Sequence, residues 1–263
     1  MLDDGTGIQR IAMWSGPRTL STALMRSFGN RGDTVVVDEP LYAFYLQRTG
    51  LEHPGRAEIL ATQPTDWRAV VAGLTTAPLP PGTRVHYQKH MTHHLLDEVD
   101  RSSLAGLRHA FLIREPRSLV ASYARVRAEP TLADLGLVQQ VELYERFGGP
   151  VLDAADLRRD PEGALRALCA ALDVGWDPAM LSWAAGPRPT DGAWARYWYA
   201  SVEASTGFRP PGPEAPGPEP AGAEAGAVAG PLPSPLARLV EVCQPLFERL
   251  RTERLTMHTP VEG

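Results

Sequence analysis

Ile11-Ala12-Met13-Trp14-Ser15-Gly16-Pro17-Arg18-Thr19-Leu20-Ser21-Thr22-Ala23-Leu24 passes from a short apolar run through a Gly-Pro turn into helical spacing, which Leu20, Leu24, Ser27 and Phe28 continue. A strand, a tight turn and a helix therefore follow one another directly. A helix N-terminus presents unpaired N–H groups and the positive end of its dipole, which suits an anion. Arg18, Thr19, Ser21 and Thr22 would add to those backbone donors, although Thr19 and Ser21 would serve equally as N-caps. The Walker pattern GxxxxGK[ST] is absent: Pro17 and Arg18 follow Gly16 at once, and no lysine stands where the β/γ-phosphate lysine would be. A magnesium-dependent ATP hydrolase is disfavoured. A phosphate-shaped loop with a fixed guanidinium suits transfer of a group less charged than a phosphoryl, and a sulfuryl group fits.

Outward from this segment, short runs rich in Val and Ile alternate with longer helical patterns. Strand candidates are Ile11–Trp14, Val35–Val37, Val85–Gln88, Ala110–Ile113 and Val151–Leu152. That alternation predicts an α/β fold, a mostly parallel sheet covered by helices. The expected organisation is one α/β domain over 1–208, a Pro/Gly-rich flexible loop over 209–235 with nine prolines and five glycines, and a helical segment over 236–263 docking back on the domain. Pro245 in that last segment predicts a kink or a break between two helices.

Arg108-His109-Ala110-Phe111-Leu112-Ile113-Arg114-Glu115-Pro116-Arg117-Ser118-Leu119-Val120-Ala121-Ser122-Tyr123 again runs from strand to helix, with Pro116 in the first turn. In a doubly wound sheet the C-terminal strand ends line the ligand crevice, so Arg114 should project into the same site as Arg18. In the blander alternative Arg114 pairs with Glu115 and Ser122 faces solvent.

Together the two segments resemble the PAPS-dependent sulfotransferase family, PAPS being 3′-phosphoadenosine 5′-phosphosulfate. Ser15-Gly16-Pro17-Arg18-Thr19-Leu20-Ser21-Thr22 looks like its 5′-phosphosulfate loop, with Arg18 where cytosolic members commonly carry lysine. Leu112 to Tyr123 looks like its 3′-phosphate motif, in which Arg114 and Ser122 match the gripping Arg and Ser. The resemblance covers residues 8 to 125, thins toward 208 and is absent from the Pro-rich segment. It implies a P-loop-type parallel sheet of about five strands covered by helices on both faces, no catalytic metal, and transfer of the sulfuryl group of PAPS to a hydroxyl, with an amine second, of a small-molecule acceptor. PAP is then the desulfated product.

Val35-Val36-Val37-Asp38-Glu39-Pro40 places two carboxylates at the end of the second strand, beside the phosphate loop. Sulfuryl transfer to an alcohol requires removal of the acceptor proton, and a partly desolvated Glu has its pKa raised toward working pH. Glu39 matches the position of the carboxylate base in Golgi-type and bacterial members, while Asp38 reads as a turn cap or a partner of Arg18. Lys89 resembles the family lysine that contacts the bridging oxygen of the leaving phosphate. Cytosolic members place a base histidine two residues later; here Met91 stands there and His90 one residue early, so His90 is a second-choice base. His90 and His94 have helical metal-pair spacing, but no Glu follows His90 and no third ligand is apparent, so no metal site is expected. His93 and His94 are expected on a helix surface or in a loop. In Pro189–Tyr199, Gly192 and Arg196 match the position of the late loop that touches the 3′-phosphate, though the GxxGxWK pattern is not intact. Tyr42, Phe44 and Tyr45 are expected on the acceptor side, as plausibly as in the core.

Across 263 residues the hydrophobic share is 43%, enough for a substantial core. The formal charge of −5 and pI near 5.8 give no basic field for nucleic acid. Cys169 and Cys243 form neither a disulfide framework nor a CxxC pair and read as buried thiols. No stretch approaches the roughly 18 apolar residues of a membrane span, and Met1 to Gly5 has neither a basic n-region nor an apolar h-region, so the expectation is a cytoplasmic protein with no membrane partner. A homo-oligomer is left open. Two other readings compete: a nucleotide-dependent small-molecule kinase on the same fold, and a non-catalytic nucleotide-binding or scaffold protein using the Pro-rich loop.

Overall fold

The computed structural model describes residues 7–127, 129–209 and 230–257. Five parallel strands form one sheet: β1 (Gln9–Ser15), β2 (Thr34–Asp38), β3 (Val85–Met91), β4 (Arg108–Ile113) and β5 (Val151–Asp153), in the order β2-β3-β1-β4-β5. All five expected strands are present. β3 outruns its apolar run because β1 and β3 pair residue for residue from Gln9–Val85 to Ser15–Met91, and the ladder carries polar Lys89 and His90 with it.

Successive side chains alternate across this sheet. Ile11, Met13, Val85 and Tyr87 join one core, which α1 (Ser21–Gly29) covers with Leu24, Met25 and Phe28, and the helix Pro161–Ala171 with Leu165, Leu168 and Cys169. Ala12, Trp14 and Phe111 join the other, covered by the helices Trp67–Thr76, Leu137–Phe147 and Ser234–Arg251. Helices thus lie on both faces. At the end of β2, α2 (Tyr42–Thr49) straddles the two cores: Tyr42 and Tyr45 face the first, whereas Phe44 is buried in the second, taking the core role rather than the acceptor-side one of the two that the sequence offered.

Ser234–Arg251 is one helix with Pro245 inside it, where a kink or break was expected. It starts within the Pro-rich segment, because Pro235 falls in the first turn, where its missing N–H costs little. Residues 210–229 of that segment lie outside the described residues. The helix rests against Pro116–Ala124 and Leu137–Phe147, burying Cys243, Phe247 and Leu250. Both cysteines are free and buried. Among the described residues no helix is long and apolar enough to cross a membrane.

Candidate active site

The C-terminal ends of β1, β2 and β3 open on a cavity of about 340 Å³. It lies beside β1, where the chain crosses toward β3 on one side and β4 on the other, the place where open α/β sheets bind ligands. From the phosphate loop, Pro17, Arg18, Leu20, Ser21 and Thr22 line it. Ser15, Gly16 and Thr19 lie beneath and hold the loop: Ser15 Oγ donates to His90 O (3.3 Å) and Thr19 Oγ1 donates to Gly16 O (2.9 Å). A Cβ on Gly16 would stand 2.7 Å from Leu135 O, so the glycine answers a close backbone approach. No side chain caps α1, and its first turn, Ser21 to Ala23, faces the cavity.

The two candidate anion anchors lie side by side. Arg114 Nη1 donates to Arg18 O (2.5 Å), and Arg18 Nε donates to Ser122 Oγ (3.2 Å). Arg114 and Ser122 are buried, standing behind Arg18, so Ser122 does not face solvent. Glu115 accepts from the Arg117 and Ser118 amides, both at 2.8 Å, and so caps its helix.

Asp38, Glu39, Lys89 and Tyr199 form a second, buried constellation. Lys89 Nζ donates to Asp38 Oδ1 (2.9 Å), Glu39 Oε1 (2.6 Å) and Tyr199 Oη (2.6 Å), which occupies all three ammonium donors. Tyr199 Oη donates to Asp38 Oδ2 (2.7 Å) and accepts from Trp194 Nε1 (3.1 Å). Asp38 is therefore neither a turn cap nor the partner of Arg18. Burial works against the Lys89 charge, but the carboxylates of Asp38 and Glu39 outweigh it and hold the ammonium well above its ordinary range. Burial pushes the Glu39 carboxyl above the usual carboxylate range, against the pull of Lys89. Glu39, Lys89 and Tyr199 all line the cavity.

Among the described residues four non-glycine residues have positive φ, and three of them, Arg18 (60°), Leu20 (71°) and Glu39 (40°), line this cavity. Each left-handed residue costs about 1–2 kcal/mol of backbone strain, and such strain gathers at functional sites.

Three expectations need correction. His90 is not brought to the cavity: strand alternation turns it to the opposite face of β3, where it stacks on Trp14 (4.3 Å between centroids) and burial pushes its pKa down to about 3. Arg196 points to the surface and pairs with Glu58. Gly192 donates its N–H to Asp38 Oδ2 (3.2 Å), beneath the charged constellation rather than on the cavity wall. Conversely, His93 and His94 are buried rather than at a surface, in a short 3₁₀ turn (Thr92–His94) after β3, and they line the cavity with Tyr42 and His53. Tyr45 packs under them without lining it. His53 carried no signal in the sequence. Trp198 and Tyr199, also on the wall, belong to the aromatic segment already singled out.

The sulfotransferase domain family model matches residues 9–234. Two curated relatives are the branched-chain-amino-acid aminotransferase-like proteins 1 and 2 of Arabidopsis thaliana, 41% and 37% identical over 206 residues, 76% of this chain. The chain spans just over a third of their length, 37% and 36%. The sulfotransferase domain from the Synechococcus PCC 7002 olefin synthase shares the fold, with a TM-score of 0.51 at 19% identity over 89% of this chain and 94% of that one.

Proposed function

Because the chain belongs to the sulfotransferase domain family, we propose that it transfers the sulfuryl group of PAPS to a hydroxyl, with an amine second, of a small-molecule acceptor, and that Glu39 is the base. The observation that carries this reading is the position of a buried carboxylate on the same cavity wall as an uncapped helix start and Arg18, with Arg114 directly behind, bonded to the Arg18 carbonyl.

The donor set suits PAPS at both ends. Ser21, Thr22 and the first-turn amides of α1 hold the phosphosulfate, and Arg114 with Ser122, linked through Arg18, whose carbonyl accepts from the first and whose side chain donates to the second, hold the 3′-phosphate. PAPS supplies an activated sulfuryl group whose leaving group is a phosphate. Glu39 takes the acceptor proton as the acceptor oxygen bonds to sulfur and the bond from sulfur to the departing phosphate oxygen breaks. Lys89 orients Glu39 at 2.6 Å and, with Arg18, places positive charge near the oxygen that departs.

Incubation with labelled PAPS and a panel of alcohols tests the reading, and failure to bind PAP at roughly tens of micromolar would count heavily against it. For Arg114→Ala, calorimetry should show PAP affinity weakened by about 1.5–3 kcal/mol, the worth of a charge-assisted contact, with adenosine 5′-phosphate affinity nearly unchanged. An equal loss for both nucleotides would mean that Arg114 acts through the Arg18 carbonyl it holds, not through the 3′-phosphate.

A further inference from the structure

The acceptor side of the cavity carries hydrogen-bonding capacity that no described residue uses. His94 stacks on Tyr42 (4.5 Å, 7°) and on Tyr45 (4.8 Å, 30°), and His93 meets His94 edge-on (4.3 Å, 72°). Tyr42 Oη and His53 Nδ1 share a hydrogen bond of 2.9 Å. His93 Nδ1 and His94 Nδ1 are buried and have no hydrogen-bond partner among the described residues. Buried polar atoms are normally paired, and both rings line the cavity, so an occupant there supplies the partner once a ring turns its nitrogen toward it.

The chemistry of the occupant follows from charge. Burial keeps both imidazoles neutral, holding His93 down to about 3 and His94 well below its ordinary range. The charged groups nearest the pair are engaged with one another: Lys89 with Asp38 and Glu39, Arg127 with Asp134 (3.0 Å), Glu52 with Arg56 (3.7 Å). The imidazole pair, being uncharged, selects by hydrogen bonding. A neutral imidazole has one donor and one acceptor, and a half-turn of the ring exchanges nitrogen and carbon positions without changing its outline. A hydroxyl, which both donates and accepts, fits it either way. A simple alcohol would leave the nitrogens unpaired.

We propose that the acceptor is a neutral polyol: one hydroxyl is presented to Glu39 and a second is seated by the His93–His94 pair. The inference rests on the sulfuryl-transfer reading above and narrows it to a substrate class.

The test compares cyclohexanol, the cyclohexane-1,2-diols and myo-inositol as ligands of the PAP-saturated protein by calorimetry, and as acceptors with PAPS by kcat/KM. The wild type should prefer a diol or inositol to cyclohexanol at least about tenfold, since a site built to bond a hydroxyl rejects an analogue lacking it. In His94→Phe, and further in His93→Phe/His94→Phe, that ratio should collapse toward one; His94→Asn, which keeps a polar group, should retain part of it. Equal binding of cyclohexanol and the polyols by the wild type overturns the inference without any variant, as does binding of none of them, or a preference that survives the double substitution. Absence of PAP binding would instead overturn the sulfuryl-transfer reading.

Discussion

Glu39→Gln should lower turnover by about two to four decades while PAP still binds, because proton removal is lost and the nucleotide contacts are not. The carboxylate sits where β2 ends, on a residue forced to φ 40°, with one oxygen 2.6 Å from Lys89. Burial raises its pKa, so a base working from this position is protonated at pH values where an ordinary Glu would already be ionised. In the wild type kcat/KM should accordingly rise with pH through a value above the usual carboxylate range, and this limb should vanish in the variant. The sign for stability is opposite. A folded pKa above the unfolded one means that the folded state binds the proton more tightly, so this contribution is present at acid pH and lost as pH rises through the folded pKa. Near-normal turnover of the variant, measured with any acceptor the wild type sulfates, would remove Glu39 as the base. His90 could not take its place from the far side of β3.

Lys89→Met should cost about 3–5 kcal/mol of folding free energy at neutral pH, the usual consequence of removing one partner from a buried ionic group. Methionine fills a similar volume, so the loss reflects charge. Asp38 and Glu39 would then lie together, buried, with Tyr199 as the remaining donor of the constellation. Burial already raises the Glu39 carboxyl, and without the ammonium it would bind its proton still more tightly in the folded state, so the deficit should shrink as pH falls. Urea denaturation at pH 7 and pH 5 checks this, and Lys89→Met/Asp38→Asn should recover part of the loss at pH 7. A deficit of the same size at both pH values, unrelieved by the second substitution, would show that the loss does not come from the missing ammonium charge.

The sheet was legible because its strands are apolar runs covered on both faces, fully along Ala110–Ile113 and partly along the edge run Val35–Val37, and neither needs a partner to be recognised. Strand ends were less so: β3 reaches Met91 only because β1 lies alongside, which no local pattern expresses. That Arg18 and Arg114 stand side by side was legible from topology, since strand-to-helix turns in a parallel sheet open on one edge. The histidine wall was not. A polar pair such as His93-His94 reads as surface, and its burial depends on Tyr42 and Tyr45, which arrive from a helix about fifty positions earlier. Lys89 read as one cation waiting for a ligand, whereas Tyr199, 110 positions away, takes one of its bonds. Arg196 and Gly192 sat at suggestive positions in the sequence, but a surface acid drew the first outward and the second gave only its backbone.

Arg18, Leu20 and Glu39 share a backbone conformation with Asp173 (φ 54°), which stands away from the cavity. Directed evolution for heat resistance by glycine substitution would find relief at all four. At Asp173 thermostability would come without penalty, whereas at the other three it would loosen the groups that the chemistry needs held, so selection for hardiness alone would drift toward robust but idle protein.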